Sequence, residues 1–452
     1  MSRLKKIARV FKNCPAPLIY LVVFGLLVFI FHQFVDNDFG WHLAAGRYFL
    51  KNGIPAHDIF SYTASGFPWI DHEWLSDILL AGLYHWGGYW LLAAIYAAVW
   101  LLAVWLVGRR HKWLILLALL ACTPFMGIRD VTWSVLGLAL LLTILRANRK
   151  RLRLLILPLV LIWANFHGSF PVAFVVLIFY AVKERSWRLA GLTAVAAVLT
   201  LINPYGVGVY TEIWRTSADL SLHFTIDEWV PFKFPWATIP FLLFYASGFL
   251  LSKPRRLRDF LTLPNLFLLL ALSAERHWPL FVVASLSATA DYWQKIRPTL
   301  NLTKMRKSQR ATVYVLAAIF ALLIGFGLFT RRDSLKPNYL PAKAVSYLKQ
   351  NTCPGNLFNE YNFGGYLIWQ LPGRKVYIDG RMPSWKSGGQ SYMKTYEKVL
   401  TDPAVRRVQF AKYDIRCALV YDSRQDFAKD LKADGWRVAV DDGVSSLLLK
   451  NN

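Results

Sequence analysis

Asp36-Asn37-Asp38-Phe39-Gly40-Trp41-His42, then Gly53-Ile54-Pro55, then Pro68-Trp69-Ile70-Asp71-His72-Glu73-Trp74: this stretch decides how the chain is read. It lies between an apolar run at 17–34 and a second one centred on 88–107. Acids and histidines beside a bilayer are costly to keep and are functional by default. A loop of this composition, at about residues 35–87, points to a site at one membrane face.

Working outward, 56% of the 452 residues are hydrophobic, and the mean hydropathy is +0.35. A soluble domain of this length would not carry so many long apolar runs. Phe, Trp and Tyr make up 15% of the chain, many of them at the ends of apolar runs, where an apolar ring with a polar tip suits the interface. The net charge of +25 does not indicate nucleic acid. The Lys and Arg come in short clusters between apolar runs, the pattern that marks cytoplasmic loops and contact with anionic lipid heads.

Apolar runs separated by charge predict about eleven spans, at 17–34, 88–107, 113–127, 131–146, 153–166, 170–183, 188–203, 236–252, 260–274, 278–293 and 311–330. The basic clusters at 1–12, 109–112, 146–153, 183–188, 253–258 and 295–310 then all fall on one side. That puts the N-terminus in the cytoplasm and the first run in the role of an uncleaved span. The membrane part is 1–330, and 331–452 is extracytoplasmic. The sequon Asn301-Leu302-Thr303 lies inside and is a chance match. Residues 331–452 alternate helix-like stretches (341–350, 392–400, 404–412, 425–434) with β-rich runs (375–379, 416–421, 437–440, 445–449), a small α/β unit. Its glycine-rich stretches at 362–365 and 387–389 lack nucleotide-binding spacing. Of four cysteines, Cys353 and Cys417 share this unit and either pair or stay as thiols.

With this topology the unusual polar residues collect on the external side: Asp36, Asp38, His42, Asp71, His72 and Glu73 in the first loop, and Arg129, Asp130, Asn165, His167, Glu228, Arg276 and His277 at later span ends. An external cavity lined by both signs of charge accounts for the set. Ordinary loop and cap roles stay open for single members. Asp71 suits an N-cap for a helix at 72–86, and Gly168 and Pro171 suit a plain turn beside Asn165 and His167. His72-Glu73-Trp74-Leu75-Ser76 begins like a zinc-protease helix, but Ser76 stands where the second histidine would be needed. No nucleophile elbow is present.

The first loop resembles that of GT-C membrane glycosyltransferases, the fold of protein O-mannosyltransferases, aminoarabinose transferases and oligosaccharyltransferases. In that family the first span ends in an acidic motif. A juxtamembrane helix follows, then a glycine, a proline-containing turn and a second such helix. Here Asp38 precedes Trp41-His42, Gly53 lies fifteen residues on, and Gly66-Phe67-Pro68 leads to Asp71-His72-Glu73-Trp74. Residues 40–52 and 72–86 match the two juxtamembrane helices. Phe39 stands where the family often has Glu, so Asp38 is the first candidate for the acidic position and Asp36 the second. The likeness is good over 17–108 and architectural beyond. The chain also resembles a group of bacterial membrane proteins that share Asp-His-Glu-Trp, Asn-x-His-Gly and segments like Gly364-Gly365-Tyr366-Leu367-Ile368-Trp369 and Ile378-Asp379-Gly380-Arg381.

The resemblance implies transfer of a sugar from a polyprenyl-phosphate carrier to a protein, lipid or glycan acceptor on the outer face of a plasma (inner) membrane. Asp38 would be the general base. Arg129, Arg276 and His277 would hold the leaving phosphate. His42, Asp71, His72, Glu73, Asn165, His167 and Glu228 would shape the sugar or acceptor pocket. Some family members use a divalent metal, Mg or Mn, which Asp36, Asp38 and Glu228 have the oxygens to ligate. A lipid-linked sugar flippase, a transporter or a non-catalytic scaffold would share many of these features. Spans nearly free of charge at their middles favour surface chemistry over transport. The C-terminal unit binds acceptor or covers the cavity, and in it Asp379-Gly380-Arg381 reads as a tight turn with an internal ion pair.

Overall fold

The computed structural model describes residues 16–33, 36–109, 111–147, 149–226, 228–231, 233–253, 256–296 and 340–451. The basic N-terminal segment, Cys14, the sequon at Asn301, the apolar segment 311–330 and residues 331–339 lie outside these.

The apolar runs form helices. The helices are α1 (Ala16–Gln33), α2 (Phe39–Asn52), α3 (Trp74–Gly108), α4 (Lys112–Cys122), α5 (Val131–Arg146), α6 (Ile156–Phe166), α7 (Pro171–Glu184), α8 (Trp187–Leu199), α9 (Gly208–Ala218), α10 (Ile239–Leu251), α11 (Leu263–Ser273) and α12 (Trp278–Ile296). Pro171, Pro240 and Pro264 sit in first turns, where a missing N–H costs nothing. Helices cover ten of the expected apolar segments. Among the described residues, α3 alone has the length and apolarity to cross a membrane, and six further apolar helices run 10–17 residues. α3 breaks at Gly87 and Gly88, the latter at φ +60, a conformation that suits only a residue without Cβ. The expected juxtamembrane helix and the span after it are thus two arms of one kinked element.

The helical part buries one continuous core that includes Tyr96, Trp100, Phe241, Trp278 and Phe281. Its buried indoles keep partners: Trp100 Nε1 donates to Thr132 Oγ1 at 3.0 Å and Trp278 Nε1 to the Ala121 carbonyl at 2.9 Å.

The C-terminal part is α/β: α13 (Ala342–Gln350), β1 (Asn356–Asn359), α14 (Gly364–Gln370), a hairpin of β2 (Lys386–Ser387) and β3 (Gln390–Ser391), α15 (Tyr392–Thr401), α16 (Pro403–Lys412), β4 (Ile415–Tyr421), α17 (Gln425–Ala433), β5 (Trp436–Asp441) and β6 (Ser445–Lys450). The main sheet has the order β1-β4-β6-β5. β1 pairs with β4 in parallel, and β4/β6 and β6/β5 are antiparallel. The Cys353–Cys417 pair is bonded, with Cα atoms 6.1 Å apart. The expected strand at 375–379 is not in this sheet. Val376 bridges Ser61 of the first loop instead, its N–H donating to the Phe60 carbonyl at 2.9 Å and its carbonyl accepting from Tyr62 N–H at 3.1 Å.

That bridge belongs to a larger union. A second core joins Trp41, Phe49, Phe67 and Trp69 of the first loop to Phe358, Phe363, Tyr377 and Trp385. α2 crosses α14 so closely that a Cβ at Gly40 would strike the Gly365 backbone. The buried Arg381 guanidinium is bonded to Asp379 at 2.7 and 2.8 Å and to Asp58 at 2.8 Å, and it lies 4.6 Å from the Trp69 ring. The turn 379–381 does carry the internal ion pair read from the sequence. It also carries a second one, to the first loop.

Candidate active site

Where the helical part, the first loop and the C-terminal part meet there is a cavity of about 960 Å³. Eleven of the twelve site residues named from the sequence line it; Asn165 does not. Its amide is occupied, accepting from Trp74 Nε1 at 2.9 Å and donating to the Leu161 and Ile202 carbonyls at 2.9 and 3.1 Å.

Asp38 stands just before α2, makes no side-chain cap bond and lines the cavity. Its Oδ1 accepts from Trp41 Nε1 at 3.0 Å, and its N–H donates to Asp36 Oδ1 at 2.9 Å. Gly380 packs directly on this carboxylate, and a Cβ there would overlap Asp38 Oδ1. Tyr361 donates to the Gly380 carbonyl at 3.4 Å. Desolvation, with the negative charge of Asp36 and Glu228, lifts the Asp38 carboxyl to about 7, against the opposing pull of His42 and the Trp41 indole.

Arg129 bridges Asp36 and Glu228, one ion pair through Nε and one through Nη2. Burial disfavours the Glu228 carboxylate, but Arg129 and Arg276 outweigh it and hold the acid below its usual range. Of the groups expected to ligate a divalent ion, Asp36 and Glu228 are already paired with the protein's own Arg129 and Asp38 Oδ1 already accepts from the Trp41 indole, so this donor set does not fit a metal. Arg276 lies over the Trp229 ring at 4.6 Å, and its N–H donates to the Glu228 carbonyl at 3.2 Å. His277 Nδ1 is 3.2 Å from the Leu270 carbonyl.

Behind this clamp His42 Nδ1 approaches Asp77 Oδ1 at 2.6 Å and Asp130 Oδ2 at 3.1 Å, and Nε2 lies 3.7 Å from Glu73. Burial alone would lower the His42 pKa, but Asp130, Glu73, Asp38 and Asp71 more than offset it and raise it. Glu73 is raised well above the usual range, by burial first and by Asp130 second. His167 Nε2 reaches Glu73 at 3.2 Å, and its Nδ1 contacts Ser134 and Ser169 at 2.8 and 2.9 Å. His72, packed on Gly168, is pushed down to about 4 by burial and by Arg276. Asp71 Oδ1 accepts from Glu73 N–H at 3.0 Å, a turn contact before the helix; Asp71 is not its N-cap, because α3 starts at Trp74 with Glu73 in the cap position. His42, Asp77 and Asp130 each offer a ligand atom within 4.8 Å of the others. Asp130 is legible in the sequence at a span end, whereas Asp77 belongs to no motif there; its signal is that it is a lone acid in the first turn of an apolar helix.

The fold matches solved membrane transferases. An oligosaccharyltransferase from Archaeoglobus fulgidus, tethered with an acceptor peptide, superposes with a TM-score of 0.55 at 12% identity, over 91% of this chain and 70% of that one. The same organism's AglB, in complex with an inhibitory peptide and a dolichol-phosphate, gives 0.55 at 13% identity, over 89% and 69%. ArnT from Cupriavidus metallidurans, bound to undecaprenyl phosphate, gives 0.54 at 13% identity, over 96% of this chain and 97% of that one. At these identities the likeness is one of fold. No family model matches the sequence, and no curated protein does.

Proposed function

We propose that this chain is a multi-pass membrane glycosyltransferase that moves a sugar from a polyprenyl-phosphate carrier to an acceptor on the extracytoplasmic face. The observation that carries the reading is Asp38. It is a partly buried carboxyl raised to about 7, on the wall of a cavity of about 960 Å³ that also holds Arg129 and Arg276, in a fold shared with proteins solved with dolichol-phosphate and undecaprenyl phosphate.

The chemistry follows from the groups present. Asp38 takes the proton of the acceptor nucleophile as it attacks the anomeric carbon, and a base with a pKa near the working pH is the efficient choice. Arg129 keeps Asp36 and Glu228 from repelling the incoming phosphate. Arg276, its guanidinium 4.6 Å from the Trp229 ring centre, binds the phosphate as it departs with the electron pair of the breaking C–O bond. Gly380, whose carbonyl accepts from Tyr361, packs against the Asp38 carboxylate. The N-terminus is cytoplasmic in this reading, residues 1–330 form the membrane part and 331–452 the external part.

The test is turnover of donor. Reconstituted protein supplied with a panel of labelled polyprenyl-phosphate sugars and envelope extract should release polyprenyl phosphate and label an acceptor. Donor that binds and stays intact across the panel would favour a flippase or scaffold.

A further inference from the structure

A second pocket, of about 220 Å³, lies in the C-terminal part and shares no lining residue with the large cavity. Helix α15 stands between the two. Met393, Tyr396, Glu397 and Leu400 line the large cavity, at the three- and four-residue spacing of one helix face. Tyr392 and Thr395 line the smaller pocket. The first loop closes it through Thr63, whose Oγ1 donates to the Tyr377 carbonyl at 2.6 Å. The β2–β3 hairpin and α16 supply the remaining walls. The pocket is therefore a product of the same docking that builds the large cavity.

Its walls combine rings with unspent polar groups. Tyr377 and Tyr413 meet edge to face with ring centres 6.2 Å apart, and Lys412 Nζ lies 4.8 Å from the Tyr413 ring centre. The side chains of Ser387, Gln390 and Gln409 make no hydrogen bond among the described residues. No acid is among the described residues that line the pocket, and Lys412 brings its one charge. An amide both donates and accepts, and so does a hydroxyl. The ligand that matches this set carries groups of the same dual kind, plus an apolar face for the tyrosines. A sugar ring has both, with hydroxyls on its rim and C–H groups on its faces. Lys412, with no acid nearby, admits a neutral or anionic sugar and disfavours a cationic one. The volume falls below the roughly 300–1,000 Å³ of pockets for drug-sized ligands, which suits a single ring.

We propose that this pocket is a saccharide subsite that takes one neutral or acidic sugar unit of a glycan chain. One helix diameter, about 10–12 Å, separates it from the large cavity. A glycan seated here is held beside that cavity without occupying it. The subsite does not rest on the transfer reading, because its test reads binding and not turnover.

Full-length protein, in a detergent without a sugar headgroup, is titrated with fluorescently labelled oligomers of glucose, N-acetylglucosamine and galacturonic acid, and with labelled short peptides. Fluorescence polarisation reads the binding. At least one oligosaccharide should bind wild type. The double variant Gln390→Ala/Gln409→Ala should bind it about ten-fold more weakly, at an unchanged melting temperature. Lys412→Ala should weaken the galacturonic-acid oligomer more than the neutral ones. Arg276→Ala, in the large cavity, should bind oligosaccharide as wild type does. Absence of oligosaccharide binding at millimolar concentration overturns the proposal. So does binding that Arg276→Ala removes and the double variant keeps, which puts the sugar in the large cavity. Binding of peptides alone, lost in the double variant, makes the pocket a peptide site and overturns it too.

Discussion

Asp38 is placed by the chain's exit from its first apolar helix, but its neighbours come from far away in sequence. Asp36, Trp41 and His42 are local; acids beside a span end mark the segment as unusual, and it is the family resemblance that ranks Asp38 ahead of Asp36. Gly380, whose missing side chain makes room for the carboxylate, is distant, and no local pattern announces such a contact. Two predictions belong here. A base works only when deprotonated, and the Asp38 carboxyl is raised to about 7. The transfer rate should therefore climb with pH through about 7 and level off above it, as a pH–rate profile of wild type would read. Gly380→Ala puts a methyl group into the carboxylate. Displacing a catalytic group by about 1 Å costs about 10²-fold in rate, so turnover should fall by that order while the melting temperature changes little.

At the scale of elements, α2 is the pivot, because its N-terminus presents Asp38, its first turn presents His42, and Gly40 lets α14 lie against it. The two juxtamembrane helices are legible from sequence, since glycine and proline punctuation brackets them. It misread 375–379 as a sheet strand, because a β-rich run reads the same whether its partner is a sheet or a loop from another part of the chain. The clamp on that docking is Arg381 between Asp58 and Asp379, with all three side chains almost fully buried. Removing one partner of a buried ion pair leaves the others uncompensated, at about 3–5 kcal/mol. Arg381→Met should thus lower stability by that amount, measured by thermal or denaturant unfolding. A change under about 1 kcal/mol, the scale of an exposed pair, would mean that the turn does not hold the two parts together.

At the scale of the whole molecule, the apolar segments and the first-loop pattern were legible, and they led to the fold found by comparison. The joint core of first loop and C-terminal unit was not, since it rests on contacts between residues about 300 apart, such as Tyr62 Oη to the Leu357 carbonyl at 3.0 Å. Composition left the cysteines open, and the fold pairs them. The bond spans 64 residues, and closing a loop of that length stabilises by about 4 kcal/mol in the chain-entropy account. Cys353→Ser or Cys417→Ser should lower the melting temperature of the C-terminal unit, as differential scanning calorimetry would show. The central claim is that these parts assemble one cavity in which Asp38 activates an acceptor toward a lipid-linked sugar. Its most direct test is single-turnover transfer in proteoliposomes by wild type and Asp38→Asn, at equal protein and saturating donor. The account predicts a loss of about 10²–10⁴-fold with donor binding intact; equal rates for the two proteins would contradict it.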